Sequence, residues 1–264
     1  MALYHFSVRP CSRGNGRSAA GTCAYILGSK IRDSYTGKVY DYSRREDVSY
    51  RDVLLPSDAP ASFLNPQVMM DAANQAERRS DARIGLAIDI ALPREFDAEL
   101  WMRLIREYTK SNFTQNRLAV VAAMHTGEPK LGDKLMDDSN PHAHLLVLTR
   151  PLDESGFQPT KLKSRWMNSV DALISWRKSW ADLLNRALER CGYHDRRVSH
   201  ESLASQGIDR APTIHMGAKA SALQRKGIRT QREERYQEIQ QRNKEQMRQM
   251  DRPLARDRES SRSR

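Results

Sequence analysis

The chain has 264 residues, enough for one substantial domain and an extension, and it carries a formal net charge of +11. Residues 216–264 hold 14 Lys and Arg against 7 Asp and Glu, so much of the excess sits in a polar C-terminal stretch. A basic chain of this kind points to a polyanionic partner, most commonly nucleic acid. The N-terminal Met-Ala-Leu-Tyr-His-Phe lacks a signal-peptide core, and no apolar run reaches the length of a membrane span. Cys11, Cys23 and Cys191 have neither a pairing pattern nor zinc spacing, which fits a reducing cytosol.

Leu3 to Arg9 alternates, with Tyr4, Phe6 and Val8 on one face, and predicts a strand; Pro10 to Arg17 reads as a loop. Ser18 is a natural N-cap for a helix from Ala19 to Leu27 that carries Tyr25 and stops at Gly28. Ile31 to Tyr50 is charged and tyrosine-rich, with a short edge hairpin expected around Lys38–Tyr42. Asn65 caps a second helix with Pro66 at its first position.

Ile84 to Leu92 is the clearest strand. Its Ile and Leu residues share one face, and Gly85, Ala87, Asp89 and Ala91 share the other. Leu118 to His125 repeats the asymmetry, with Ala119, Val121, Ala123 and His125 together. Two strands with one small-residue face predict an uncovered side where a site lies. The helix between them, Asp97 to Phe113, shows an apolar stripe of Leu100, Trp101, Leu104, Ile105 and Tyr108. A 16-residue loop, Thr126 to Pro141, leads to a strand that opens on His142-Ala143-His144. Arg150 to Lys163 reads as a loop, and Arg165 to Arg190 as a long helix with Trp166, Trp176 and Trp180 facing inward. Residues 231–264 read as a charged helix followed by a disordered end.

Residues two apart on a strand share a face, so His142 and His144 point the same way, about 7 Å apart along the backbone. If the strand ending in His125 pairs with theirs, three neutral imidazoles converge and leave coordination positions open, as catalytic metal sites do. Asp89 can fix the tautomer of a ligand histidine, act as a base toward a tyrosine, or merely be satisfied by Arg83 or another cation. His5 neighbours the site or serves as an ordinary hydrogen-bonding residue. Phosphate contacts are expected from the basic segments, Arg9, Arg13, Arg17, Lys30, Arg32, Arg44, Arg225, Lys226 and Arg229, and base stacking from Tyr35, Tyr40 and Tyr42.

The N-terminal Tyr-His-Phe strand, Ser18-Ala19 with Tyr25, Ala91-Leu92-Pro93, His125 and Pro141-His142-Ala143-His144 together resemble the MobA/MobL relaxases of the MOBQ group. The likeness continues through Asn185–Arg190, Gln206-Gly207-Ile208, His215-Met216-Gly217 and Gly227–Thr230, so it covers roughly residues 2–230. It implies a relaxase domain over 1–230 and a basic extension or linker over 231–264. The implied fold is α+β: a largely antiparallel five-stranded sheet, helices on one face, and an open active face. The implied activity is strand-specific nicking of single-stranded or supercoiled origin-of-transfer DNA in the bacterial cytoplasm. Tyr25 is the implied nucleophile, with Asp89 assisting and Mg²⁺ or Mn²⁺ on His125, His142 and His144. Accessory mobilisation proteins and a type IV secretion coupling protein are the implied partners. The alternatives are a rolling-circle initiator or transposase of the same superfamily, or a basic DNA-binding protein whose histidines hold a structural metal.

Overall fold

The computed structural model describes residues 4–125, 141–159, 165–212 and, with gaps, 214–260. The loop expected at 126–141 lies almost wholly outside the described residues, as do Arg225 and His215. The chain divides into two compact units, Met1–His200 and Glu201–Arg264. Among the described residues, no helix is long and apolar enough to cross a membrane.

The first unit is built on an antiparallel sheet. Its strands are β1 (Phe6–Ser12), β4 (Val48–Leu54), β5 (Arg83–Ala91), β6 (Leu118–His125) and β7 (His142–Asp153), in the order β1-β5-β7-β6-β4. A short β8 (Gly156–Phe157) pairs with the far end of β7, and β2 (Lys30–Arg32) with β3 (Val39–Asp41) makes a separate ribbon. The helices are α1 (Ala19–Leu27), α2 (Pro66–Gln75), α3 (Ala98–Asn112) and α4 (Val170–Arg190). Each begins at a side-chain cap that satisfies one or two orphan N–H groups. Ser18 caps α1, Asn65 caps α2, Asp97 caps α3 and Ser169 caps α4.

Alternation along the strands divides the interior into two layers. On one side Leu86, Ile88, Ile90, Val120, Met124, Leu145 and Val147 pack against Tyr108 of α3 and Trp176 and Trp180 of α4. On the other, Ala87, Ala119, Val121, Ala123 and Leu146 pack against α1 and α2. The expected α+β architecture with a five-stranded antiparallel sheet is therefore present, but the small-residue face is not left bare. The helix α1 is itself made of small residues, Ala19, Ala20, Gly21, Cys23 and Ala24, and its backbone settles onto the sheet. Gly21 serves the opposite neighbour, because a Cβ there would stand 2.8 Å from the Tyr40 ring of the β2–β3 ribbon.

Several element boundaries differ from the sequence expectation. The strand β1 runs on through Pro10 to Ser12, which an edge strand permits because its outward N–H positions need no partner. The strand β4 went unread inside the charged stretch, since an edge strand with one exposed face carries polar residues at alternate positions. The segment read as a loop from Arg150 instead continues β7 to Asp153 and turns at Gly156 into β8. The long fourth helix is preceded by a separate 3-10 turn at Arg165–Asn168, because Ser169 takes the cap. Trp166, placed before that cap, is 44% exposed rather than inward. In the second unit α5 (Gln231–Ser260) carries helix into the stretch expected to be disordered.

Candidate metal centre

Register brings the site together. In the β6–β7 ladder His125 stands opposite His142 and Ala123 opposite His144; in the β5–β7 ladder Asp89 stands opposite His144 and Ala91 opposite His142. Directly paired residues share a face. One row across the sheet thus reads Ser7, Asp89, His144, Ala123, Arg51, and the next reads Ala91, His142, His125, Val48. The small side chain of Ala123 opposite His144 gives that imidazole room to lean toward its neighbours. One potential ligand nitrogen from each of His125, His142 and His144 lies within 4.8 Å of the others.

The protonation pattern suits a cation. His144 Nδ1 is 2.5 Å from Asp89 Oδ1, so Nδ1–H donates to the carboxylate and Nε2 is left as the lone-pair nitrogen. That Nε2 is buried and has no hydrogen-bond partner, an orphan that a metal ion would satisfy. His125 Nε2 lies 2.9 Å from the Ile26 carbonyl, which can only accept, so Nδ1 holds the lone pair. Burial pushes the His125 pKa down to about 4, with the Ile26 carbonyl opposing the shift and His144 and Arg45 adding to it. Burial pushes Asp89 up, but the bond from His144, its charge, the charge of Arg9 and the Ser7 hydroxyl outweigh it, and the carboxyl ends below the usual range. Three imidazoles that offer nitrogens within 4.8 Å of one another, with one carboxylate behind them, form a donor set that fits a divalent ion.

Tyr25 projects from α1 over this cluster. Its ring centroid is 5.7 Å from that of His125 and 5.7 Å from that of His144, and the residue is 38% exposed. Tyr42 meets it edge-on at 5.5 Å. Cys23, Ala24, Ile26 and Leu27 supply the buried side of α1, which leaves Tyr25 out of the core. A cleft of about 330 Å³ opens beside it, walled by Arg9, Arg17, Thr22, Tyr25, Tyr42, Asp89 and His144. The Asp89 oxygens are both engaged, one by His144 and the other by Arg9 and Ser7. Arg83, considered as its partner, instead reaches Asn168.

The remaining sequence candidates are dispersed. Arg13 donates its guanidinium to the carbonyls of Asn74 in the last turn of α2 and of Glu77 and Arg79 just after it, and lies over the Tyr35 ring at 3.6 Å. Tyr40 packs on α1 beneath Lys38. Lys30, Arg32 and Arg44 are exposed on or near the β2–β3 ribbon. Lys226 and Arg229 are exposed in the second unit, and Arg225 lies outside the described residues. Two residues at the site, Arg45 and Asp47, stood out only as members of the basic stretch Lys30–Arg51 expected to meet DNA. Arg45 lies over the Tyr25 ring at 4.1 Å and is ion-paired to Asp47, which holds it firmly protonated and keeps Asp47 below the usual carboxylate range. Their only sequence signal was an Arg-x-Asp in a charged segment, indistinguishable from a solvated pair.

Known proteins share this arrangement of sequence and fold. The chain is 32% identical to the probable mobilization protein MobA of Bifidobacterium longum over 286 residues, 92% of this chain and 48% of that protein. It is 31% identical to the conjugal transfer protein TraA of Agrobacterium fabrum over 256 residues, 86% of this chain and 22% of that one. The chain therefore spans half or less of the length of these two relatives. A solved structure described as the molecular basis of vancomycin resistance transfer in Staphylococcus aureus superposes with a TM-score of 0.66 at 30% identity, covering 76% of this chain and all of that one. The profile of the MobA/MobL family matches residues 17–226, which include Tyr25, Asp89 and all three histidines, and the chain belongs to that family.

Proposed function

We propose that the chain is the relaxase of a plasmid mobilisation system, nicking one DNA strand at an origin of transfer and later resealing it. The observation that carries this reading is the seat of Tyr25: a half-exposed phenol whose ring lies 5.7 Å from two imidazoles of a three-histidine cluster. A structural tyrosine has no reason to be held outside the core above a potential cation site. Relatives named for mobilisation and conjugal transfer support the same reading.

In the proposed reaction the Tyr25 oxygen forms a bond to phosphorus and the bond from phosphorus to the 3′ oxygen breaks. The phenol proton leaves to solvent, the departing oxygen takes one up, and the products are a 3′-hydroxyl and a 5′-phosphotyrosine. Attack by a 3′-hydroxyl on that ester reverses the step. Mg²⁺ or Mn²⁺ held by His125, His142 and His144 would neutralise the phosphate oxygens as charge develops. Asp89 fixes the His144 tautomer, and its engagement by His144, Arg9 and Ser7 favours that positioning role over service as a base. Arg9 and Arg17 draw the phosphate backbone to the cleft, and Tyr42 offers an aromatic edge to an unpaired base.

The catalytic part is proposed to span residues 1–230, with 231–264 as a basic extension. The work is done in the bacterial cytoplasm, with accessory mobilisation proteins and a secretion coupling protein as further partners. Incubation with a supercoiled plasmid carrying its origin of transfer and Mn²⁺ tests the reading. Denaturation should release a nicked circle with protein bound to the 5′ end. Nicking without attached protein would point to hydrolysis by water instead.

A further inference from the structure

Arg45 makes more contacts at the centre than a surface cation needs. Its Nε donates to Asp47 Oδ1 at 2.8 Å and its Nη2 pairs with the other Asp47 oxygen. Its Nη1 lies 3.4 Å from the Tyr25 carbonyl, and its guanidinium carbon sits over the Tyr25 ring, 4.1 Å from the centroid. The same Nη2 lies 3.2 Å from His125 Nδ1. The Arg45 side chain is 19% exposed, so this is a seated group and not a sweeping one.

The direction of the last contact follows from proton counting. His125 Nε2 faces a carbonyl and must carry the hydrogen, so Nδ1 is an acceptor. A guanidinium has donors only. Nη2–H therefore points at the one lone pair that His125 can offer to a metal ion. A ring nitrogen has a single lone pair in the ring plane, so it serves the arginine or the cation but not both.

We propose that Arg45 is a positioning residue that caps His125 in the metal-free protein and is released to the substrate phosphate when the cluster is loaded. The inference rests on reading the three histidines as a divalent-metal centre. Without a cation, the capped Nδ1 and the stacked Tyr25 ring keep the pocket ordered. With a cation, Arg45 keeps its Asp47 anchor, and its freed N–H lies between the Tyr25 ring and His125, where the phosphate under attack must pass. Asp47 makes this economical: it holds the guanidinium in place throughout, so only one donor changes partner.

The test is Mn²⁺ titration of the full chain, followed by electron paramagnetic resonance, for the parent, Arg45→Met and the double variant Arg45→Met/Asp47→Asn. Methionine keeps an unbranched stem and has no donor. Both variants are expected to bind Mn²⁺ about fivefold tighter, the factor that one ordinary net hydrogen bond supplies. With Mn²⁺ present, both should bind a random-sequence single-stranded oligonucleotide about fivefold more weakly. A merely structural arginine would move both affinities in the same, weaker direction. Unchanged or weaker Mn²⁺ binding in both variants overturns the proposal. Tightening in Arg45→Met that vanishes in the double variant also overturns it, because the freed Asp47 charge would then be the cause. A parent chain that takes up no Mn²⁺ refutes the metal reading and this inference with it. If Arg45→Met does not fold, Arg45→Lys, which loses the two-point grip, is expected to tighten Mn²⁺ binding by a smaller factor, and no tightening there counts against the proposal.

Discussion

Asp89 and His144 face each other across the β5–β7 ladder, and the carboxylate accepts from Nδ1–H over an N···O distance of 2.5 Å. The pairing fixes which nitrogen of His144 is left for a metal, and it does so from the sheet itself rather than from a loop. Asp89→Asn keeps the size but removes the charge, and its amide can also turn an N–H toward Nδ1 and reverse the tautomer. Mn²⁺ affinity measured by calorimetry should fall about 10–100-fold. An affinity within a factor of two of the parent would remove Asp89 from the account.

Tyr25→Phe removes one oxygen from a half-exposed ring that packs on Arg45 and Tyr42 through its faces and edges. Melting temperature, Mn²⁺ binding and affinity for single-stranded DNA should all stay near parental values. Covalent attachment to DNA should be abolished. Retained nicking by this variant would show that water, not the phenol, is the nucleophile.

His125 makes the metal-free protein sensitive to mild acid. Its folded pKa is about 4, against about 6.5 for a free imidazole. Between those values the unfolded chain binds a proton that the folded chain refuses, so stability falls as pH is lowered from about 6.5 to 4 and levels off below. The loss is on the order of 3 kcal/mol at most. Chemical denaturation in chelator at pH 7 and pH 4.5 should show it, and His125→Asn should flatten this part of the profile. A metal-free parent equally stable at both pH values would contradict the assigned burial of this ring.

A second buried pair lies away from the site. Arg150 Nε donates to Glu77 Oε1 at 3.0 Å, with side chains 4% and 5% exposed, and Arg150 also donates to the Gln158 carbonyl. This ties the residues after α2 to β7 and to the residue that follows β8. Glu77→Ala removes a carboxylate from beside a buried guanidinium and should cost about 3 kcal/mol in urea denaturation. A loss under about 1 kcal/mol would mean that water reaches the pair.

The sequence made the site more legible than its surroundings. His125, His142, His144 and Asp89 stand in strands whose two-residue period is explicit, and antiparallel pairing of two apolar runs was enough to gather them. The caps Ser18 and Asn65 likewise marked where α1 and α2 begin. What periodicity cannot say is which helix covers which face. The small residues of β5 and β6 were read as room for a ligand, and most of that room receives α1, whose own small residues gave the complementary signal. Arg45 was illegible for a different reason: its role comes from long-range contacts with Tyr25 and His125, 20 and 80 positions away, and Asp47 matters through its pairing with Arg45. Arg13 failed in the opposite sense, since a basic residue near a glycine-rich turn looks ready for phosphate but here satisfies three backbone carbonyls.

The central claim, that the phenol of α1 forms an ester with DNA beside the three imidazoles, is tested most directly by mass spectrometry of the trapped protein–DNA conjugate. Digestion should yield a single modified peptide, with the nucleotide mass on Tyr25 and none on Tyr35, Tyr40 or Tyr42. A conjugate mapped to any other side chain, or cleavage of the plasmid with no conjugate at all, would contradict it.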